Sequence, residues 1–451
     1  MAATRHQQVD TSGFPTPPWL HLVGQLPQVT SRKVKLALPC IGLDALGWGL
    51  KEAGWESYEV TYAYDIDMNL APALRQLHGE QVSTFHLGLD GDMLDVDVKS
   101  WSRVDFVVTG PPCPPFSSIG QRLTDPGADP RERVFQKVTE CIVHQGSLGC
   151  WGFVLETVPG ISARREGGTS YLETWLSYLQ SAAPMFAIRV WPMQSADYLP
   201  QNRRRLYVVG MRRDAGITPP PPTPPRSLRP TLGELLHKAL PGDESMLSSQ
   251  QRVNLRKAIP IAMRRSREAS PPTGGLKHLG SFSPPLFVIS VDRDPDKVFG
   301  ENLRCDDCTP TLRAGHSRHW VVKVDDMGLV ALSRHLHPWE RLTLQGFPPH
   351  LANFLDRDTL VRATGNSFSV PVVTAILRQC LRTVVGAGWL EAPLRPYPRG
   401  CQEEWLAKRR RINLERDVLA LSERESELWA LRSSRLCGWA SWCDTGLGSQ
   451  R

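Results

Sequence analysis

Between residues 31 and 212 the chain repeats one pattern, and that pattern limits its fold more than any other feature. Short apolar runs end in small, acidic or proline-bearing loops, and stretches with helical spacing separate them. "SRKVKLALPCIGLDALGWGLKEAGW" (31–55) opens with such a run, passes a small turn, and continues with Leu43, Leu46, Trp48 and Leu50 at roughly helical intervals. "YEVTYAYDID" (58–67), "VDFVVTG" (104–110), "WGFVLETVPG" (151–160) and "RRRLYVVGM" (203–211) are further β-rich runs, and "RERVFQKVTECIVHQ" and "YLETWLSYLQSA" are helix-compatible. Strand and helix in alternation imply a parallel, doubly wound α/β sheet of Rossmann-like type. Ligands of such sheets bind beyond the carboxyl ends of the strands, which is where Cys113, Glu156 and the loop at 39–43 fall.

The alternation then stops. "GITPPPPTPPRSLRPT" (216–231) reads as a polyproline spacer leaving the first lobe, and the following hundred or so residues hold basic patches such as "MRRSREAS" and a β-like "PLFVISVDRD". The expected organisation is an N-terminal extension (1–31), a catalytic domain (32–212), a smaller second domain (213–330), a return to the catalytic domain (331–390), and a charged helical extension (391–451). A chain of 451 residues with 41% hydrophobic content can bury at least one substantial core. The N-terminus lacks the apolar core of a secretory signal, and no segment reaches roughly 18 uninterrupted apolar residues, so an intracellular protein without a membrane span is expected. Ten scattered cysteines do not look like a disulfide framework. The net charge of +7 favours a polyanionic partner, and "KRRR" (408–411) suits nuclear import.

One thiol is set apart by its neighbours. In "DFVVTGPPCPPFSSIG" (105–120), prolines at 111, 112, 114 and 115 fix their own φ and push Cys113 toward an extended conformation, reducing the wobble of its sulfur. Glu156 follows the buried-looking "WGFVL", where a carboxyl could hold a proton at neutral pH. Arg203 and Arg205 alternate at the start of a strand and so share a face, with Arg204 turned away. "CDDC" (305–308) with His316 and His319 hints at zinc, but the gap and the His-x-x-His spacing depart from usual finger patterns, so no metal is expected.

Taken in order, "PPCPPFS" (111–117), "ETV" (156–158), "QNRRR" (201–205), "TPTLR" (309–313), "RHLHPWERLTLQGFP" (334–348) and "GNSFSVP" (365–371) resemble the motifs of the cytosine carbon-5 DNA methyltransferases. The resemblance covers roughly 33–212 and 305–385. It implies a Rossmann-like methyltransferase sheet with a target-recognition domain, and methyl transfer from S-adenosylmethionine to a cytosine flipped out of double-stranded DNA by a monomeric enzyme. Cys113 would be the thiolate that adds to carbon 6 of the base, Glu156 the partner of ring nitrogen 3, and Arg203 and Arg205 would hold the base carbonyl or a flanking phosphate. Cofactor contacts would come from Leu38, Ile41, Gly42 and Leu43 in the strand-to-helix turn, and from Asp65 on the ribose. Ile66 would pack on adenine, Asp92 and Met93 would bind near its amino group, and Pro112, Asn366 and Phe368 would complete the pocket.

Three residues depart from the family's pattern: Cys40 stands where its cofactor loop has a first glycine, Pro114 where glutamine is usual, and Thr157 where the glutamate triplet has asparagine. Two alternatives therefore stay open. One is the same chemistry on transfer RNA, although the Cys-Phe-Thr tripeptide of that branch is absent; the other is a catalytically weak nucleic-acid-binding relative.

Overall fold

In chain order the elements are α1 (Leu20–Val23), β1 (Val34–Pro39), α2 (Ala45–Glu52), β2 (Tyr58–Asp65), α3 (Ala71–His78), β3 (His86–Leu87), β4 (Phe106–Thr109), α4 (Pro130–Ser147), β5 (Gly152–Thr157), α5 (Tyr171–Ala182), β6 (Phe186–Gln194), β7 (Arg204–Arg212), α6 (Leu232–Leu235), α7 (Ser249–Glu268), β8 (Leu286–Ser290), β9 (His319–Val324), β10 (Val330–His335), α8 (Pro338–Gln345), α9 (Arg357–Asn366) and α10 (Val370–Gly386). The computed structural model describes residues 17–27, 32–113, 116, 129–164, 168–216, 218–224, 229–237, 247–268, 286–292, 294–296, 304, 307–315, 318–325 and 329–389. All of them belong to one unit of the chain. The expected C-terminal extension (391–451), with its "KRRR" run, lies outside the described residues.

Seven strands form the main sheet in the order β3-β2-β1-β4-β5-β7-β6. The strands β1, β4 and β5 are almost wholly buried, as central parallel strands covered on both faces must be. Local signals start the covering helices: Asp129 caps α4 with Pro130 at its first position, and Ser170 with Glu173 forms a capping box on α5. The sheet is not fully parallel, however. "RRRLYVVGM" becomes β7, which runs antiparallel to both β5 and β6. The stretch from Gln194 to Arg204 is too short for the crossover that a parallel neighbour requires, so the chain has to reverse. Strand β6 was not legible in the sequence. It lies at the sheet edge with mixed burial and contains Pro192, which an edge strand tolerates.

The expected N-terminal extension is partly built into the fold. Trp19 is buried and donates to the Gly346 carbonyl (3.1 Å), Arg378 of α10 donates to Gln25 O (2.6 Å), and Trp55 donates to Pro27 O (2.7 Å). The proline-rich segment also begins against the first lobe, with Thr218 donating to Ala187 O (3.3 Å) and Tyr198 to Pro222 O (3.2 Å). Beyond it, β8, β9 and β10 form an antiparallel sheet in the order β10-β9-β8. It shares an apolar cluster with α7 through Leu255, Ala258 and Ala262 against Phe287, Ile289, Trp320 and Val322.

The α6, β10 and α8 segments meet at a fully buried ion pair. Arg334 donates to both carboxylate oxygens of Glu340 (2.7 Å each) and to the carbonyls of His237 (2.8 Å) and His335 (3.0 Å). The amides of His237 (2.8 Å) and His337 (2.9 Å) donate to the same carboxylate. Removing one partner strands a charge in a dry interior, whereas removing both does not. Glu340→Ala is thus expected to lower folding stability by about 3–5 kcal/mol in urea denaturation, and the Arg334→Leu, Glu340→Leu double variant to lose distinctly less.

Candidate active site

The loop bearing Cys113 is fixed at both ends. At the end of β4, Thr109 donates to the Pro39 carbonyl (2.8 Å), tying β4 to the end of β1. Gly110 has no room for a side chain, because a Cβ there would stand 2.4 Å from the Phe368 ring. Pro111 is buried, Pro112 and Cys113 are half-buried, and Phe116 drops into an aromatic cluster against Phe135 (5.4 Å between centroids) and Tyr171 (4.6 Å). The Phe116 amide donates to the Cys113 carbonyl (3.0 Å), while Pro114 and Pro115 lie outside the described residues. Cys113 Sγ sits 3.2 Å from Pro111 O and 3.9 Å from Thr157 Oγ1. Burial is the main cause that pushes this thiol up to about 12; the Glu156 carboxylate adds to the shift and Arg205 opposes it.

Glu156, buried near the end of β5, faces Arg205 on the antiparallel β7, with Arg205 Nε 2.9 Å from Glu156 Oε1. The two are close enough to pair as charges but out of line for a hydrogen bond, so Oε1 has no hydrogen-bond partner among the described residues. Arg203 does not join them at the base-binding position expected from the sequence. Its buried guanidinium donates to the carbonyls of Leu312 (3.2 Å), Gly365 (3.0 Å) and Ser367 (2.7 Å). Desolvation, reinforced by neighbouring Arg205, lowers it to about 9. Arg204 is exposed, as the alternation requires.

The expected cofactor residues gather at the carboxyl ends of β1 and β2. Cys40 has φ +58°, a left-handed conformation costing a non-glycine residue about 1–2 kcal/mol. Burial, with Asp65 and then Cys113 as further causes, holds its thiol far above the ordinary range. The Ile41 amide donates to Tyr64 O (2.9 Å), and the Gly42 amide to Asp65 Oδ2 (2.8 Å). Gly42 also has φ +58°, with open space where a Cβ would stand. The other oxygen of Asp65 accepts from the Asp67 amide (3.0 Å), and Ile66 is 67% exposed, unusual for an isoleucine between two structured acids. Leu38, Cys40, Ile41, Val108 and Phe368 line a small cavity together with Asp44, Ala45 and Leu46 at the start of α2.

Other expected contacts stand differently. Leu43 is buried, and Met93 is a core side chain in the cluster containing Tyr64, Val98 and Trp101. Asp92 accepts from the Leu94 amide (3.0 Å), and Asn366 is exposed at the end of α9. Three residues went unnoticed in the sequence: Asp44, Thr109 and Arg362, the last of which clamps Asp67 (2.8 Å) from α9. An aspartate immediately before α2 is an N-cap signal that could have revealed Asp44.

Motifs far apart in sequence interlock beside this site. The Asn202 amide donates to Thr309 O (2.9 Å), the Thr309 amide to Pro200 O (2.8 Å), and the Thr311 hydroxyl to Asn202 O (2.5 Å). Arg341 of α8 reaches Arg313 O (2.8 Å) and Thr364 Oγ1 (3.2 Å). Of the residues considered for zinc, Cys305 and His316 lie outside the described residues, Cys308 is buried, and His319 Nδ1 stands 3.4 Å from Arg341 Nη1. Among the described residues no group of three potential ligands could hold a metal. Residues 357–386 pass a length-and-apolarity test for a membrane span, but α10 is largely buried in this fold and a break at 367–369 separates it from α9.

A doubly wound sheet with a loop-held thiol, a buried glutamate and a small cavity at its strand ends is a Rossmann-like architecture. A sequence profile of the C-5 cytosine-specific DNA methylases matches residues 40–382, and the chain belongs to that family. It is 27% identical to Type II methyltransferase M.NgoBI of Neisseria gonorrhoeae over 64% of this chain and 78% of the relative. It is 24% identical to Type II methyltransferase M.NlaX of Neisseria lactamica over 75% of this chain and 93% of the relative. A solved structure of a Spodoptera frugiperda DNMT2 mutant aligns at 16% identity over 77% of this chain and 99% of that one, with a TM-score of 0.47. The chain is a DNA cytosine-5 methyltransferase. Bacterial relatives of this kind lend no support to the nuclear placement expected from "KRRR".

Two predictions follow from the geometry. Arg203→Ala removes three charge-assisted bonds and is expected to lower stability by roughly 3 kcal/mol in urea denaturation, whereas Arg205→Ala changes the midpoint much less. Because the Cys113 thiol is raised to about 12, its thiolate fraction in the free protein should grow about tenfold per pH unit. Its iodoacetamide labelling, followed by peptide mass spectrometry, should keep rising from pH 7 to pH 10 without the plateau of an ordinary thiol near about 8.5.

Proposed function

We propose that this enzyme methylates carbon 5 of cytosine in double-stranded DNA, using S-adenosylmethionine and a covalent adduct on Cys113, with the target base flipped out of the duplex. The observation that carries the reading is the cluster of Cys113, Glu156 and Arg205 at the ends of β4, β5 and β7. S-adenosylmethionine supplies an electrophilic methyl group when bound. The residues present suit it: exposed Ile66 offers an apolar face for adenine, the open side of Gly42 lets the backbone approach a ligand, and Asp65 has lone pairs left for ribose hydroxyls. Phe368 would close the pocket from the far end of the chain. The left-handed backbone at Cys40 is one that glycine adopts at no cost, so this departure from the family's pattern strains the loop.

The thiol is the nucleophile and must lose its proton before it adds to carbon 6 of cytosine. In the free protein burial favours the protonated thiol. Addition develops negative charge toward ring nitrogen 3, and Glu156, held against Arg205, would meet that edge of the base with a proton or a hydrogen bond. Release requires loss of the carbon-5 proton and elimination of sulfur.

Fluorine at carbon 5 cannot leave as a cation. A random-sequence DNA pool carrying 5-fluorocytosine should therefore give a denaturation-resistant adduct that maps to Cys113 when S-adenosylmethionine is present. Cys113→Ser should give none, and Glu156→Gln should bind cofactor yet form adduct at least about a hundredfold more slowly. Adduct with an RNA pool alone would move the substrate to RNA. No adduct from either pool on folded, cofactor-binding protein would reduce the chain to a binding relative, and mapping to another cysteine would remove Cys113 from its role.

A further inference from the structure

The cofactor loop has a support that the reaction itself does not use. Asp44 lines the small cavity with Cys40, Ile41 and Phe368, yet it has φ +50°, a left-handed conformation at the N-cap of α2. One carboxylate oxygen accepts from the Gly47 amide (2.8 Å), and the other lies 2.8 Å from Nε2 of His78, the last residue of α3. Both side chains are buried, at 2% and 4% exposure. A carboxylate can only accept, so His78 Nε2 carries the proton and donates it. The His78 ring is itself fixed edge-on against Phe85 (5.0 Å). Position 47 is glycine because a Cβ there would stand 2.2 Å from the oxygen that His78 holds. The Asp44 amide in turn donates to the Ile41 carbonyl (3.0 Å), linking this cap to the loop residue that pairs with β2.

We propose that His78 is a positioning residue for cofactor binding: through Asp44 it holds the left-handed turn at 40–44 in the shape that receives S-adenosylmethionine, although its own ring lies behind that turn. The proposal rests on the reading of residues 38–43 as the cofactor loop. Without the donor, a buried carboxylate oxygen is left unpaired and the turn relaxes toward unstrained backbone. His78 would then act on cofactor affinity and leave alone the chemistry at Cys113, which sits on a loop anchored separately by Phe116.

The test is isothermal calorimetry of S-adenosylmethionine binding to the full chain, with steady-state kinetics alongside. His78→Leu should weaken binding and raise the cofactor KM about tenfold while kcat stays within about twofold. His78→Gln, whose amide can donate from a similar position, should restore most of the affinity, which a general packing defect would not allow. Asp44→Asn keeps the cap on Gly47 but weakens the bond to His78, so it should lower affinity in the same direction; it carries the comparison if His78→Leu does not fold. Unchanged affinity in the folded variants overturns the proposal alone. So does an equal loss in His78→Leu and His78→Gln. Wild-type protein that binds no S-adenosylmethionine overturns the cofactor reading as well.

Discussion

The site depends first on the buried guanidinium of Arg203. It stands at the turn into β7 and gathers three backbone carbonyls, from Leu312 and from Gly365 and Ser367, segments more than a hundred residues away in the chain. A guanidinium in a dry interior needs acceptors, and main-chain carbonyls serve both of its terminal nitrogens without a second charge, while Nε has no partner among the described residues. Other close fits reinforce the joint. Gly365 packs so tightly on the 313–314 backbone that a Cβ would stand 2.1 Å from the Ala314 nitrogen. Once Ser367 is held, Phe368, in the break between α9 and α10, reaches over Gly110 at the end of β4. The ends of β1 and β4, the start of α2 and the break between α9 and α10 thereby line one small cavity.

The same joint explains how one strand can carry two arginines with opposite tasks. Alternation along β7 puts Arg203 and Arg205 on one side, but Arg203 sits just before the strand, where the crossing segments cover it. Arg205 lies two residues further on, opposite Glu156 on β5, and only because β7 runs antiparallel does its side chain meet the carboxylate near the carboxyl end of β5. Reversal of that strand therefore decides which carboxylate Arg205 meets as well as the topology.

Two kinds of constraint hold the loops at the strand ends. Around Cys113 the backbone is stiffened by proline and pinned by an apolar anchor, since Phe116 cannot leave its aromatic neighbours without exposing a large ring. Around residues 40–44 the backbone is instead held in left-handed turns by hydrogen bonds, including those of Asp65 and Asp44. Such conformations persist only where the surroundings over-determine them. That fits a loop in which Cys40 has taken a position suited to glycine and both flanking acids are tied to amides.

How much of this was legible in the sequence follows from the range of each interaction. Apolar runs, caps and turn residues act over a few positions, so the strands at 34–39, 58–65, 106–109 and 152–157 and the helices at 130–147 and 171–182 could be read directly. The ordered motifs similarly identified the family, and proline spacing singled out Cys113. The direction of β7, the edge strand β6 and the inclusion of residues 17–27 in the fold could not be read locally, because each is set by pairing or packing with distant chain. Alternation could put Arg203 and Arg205 on one face but not say what covers that face; the carbonyls of Leu312, Gly365 and Ser367 decided it. That the Met93 side chain joins a core cluster was hidden from the sequence for the same reason. A residue's type and spacing fix what it can do, and its neighbours across the fold decide whether its donors face a ligand or the protein itself.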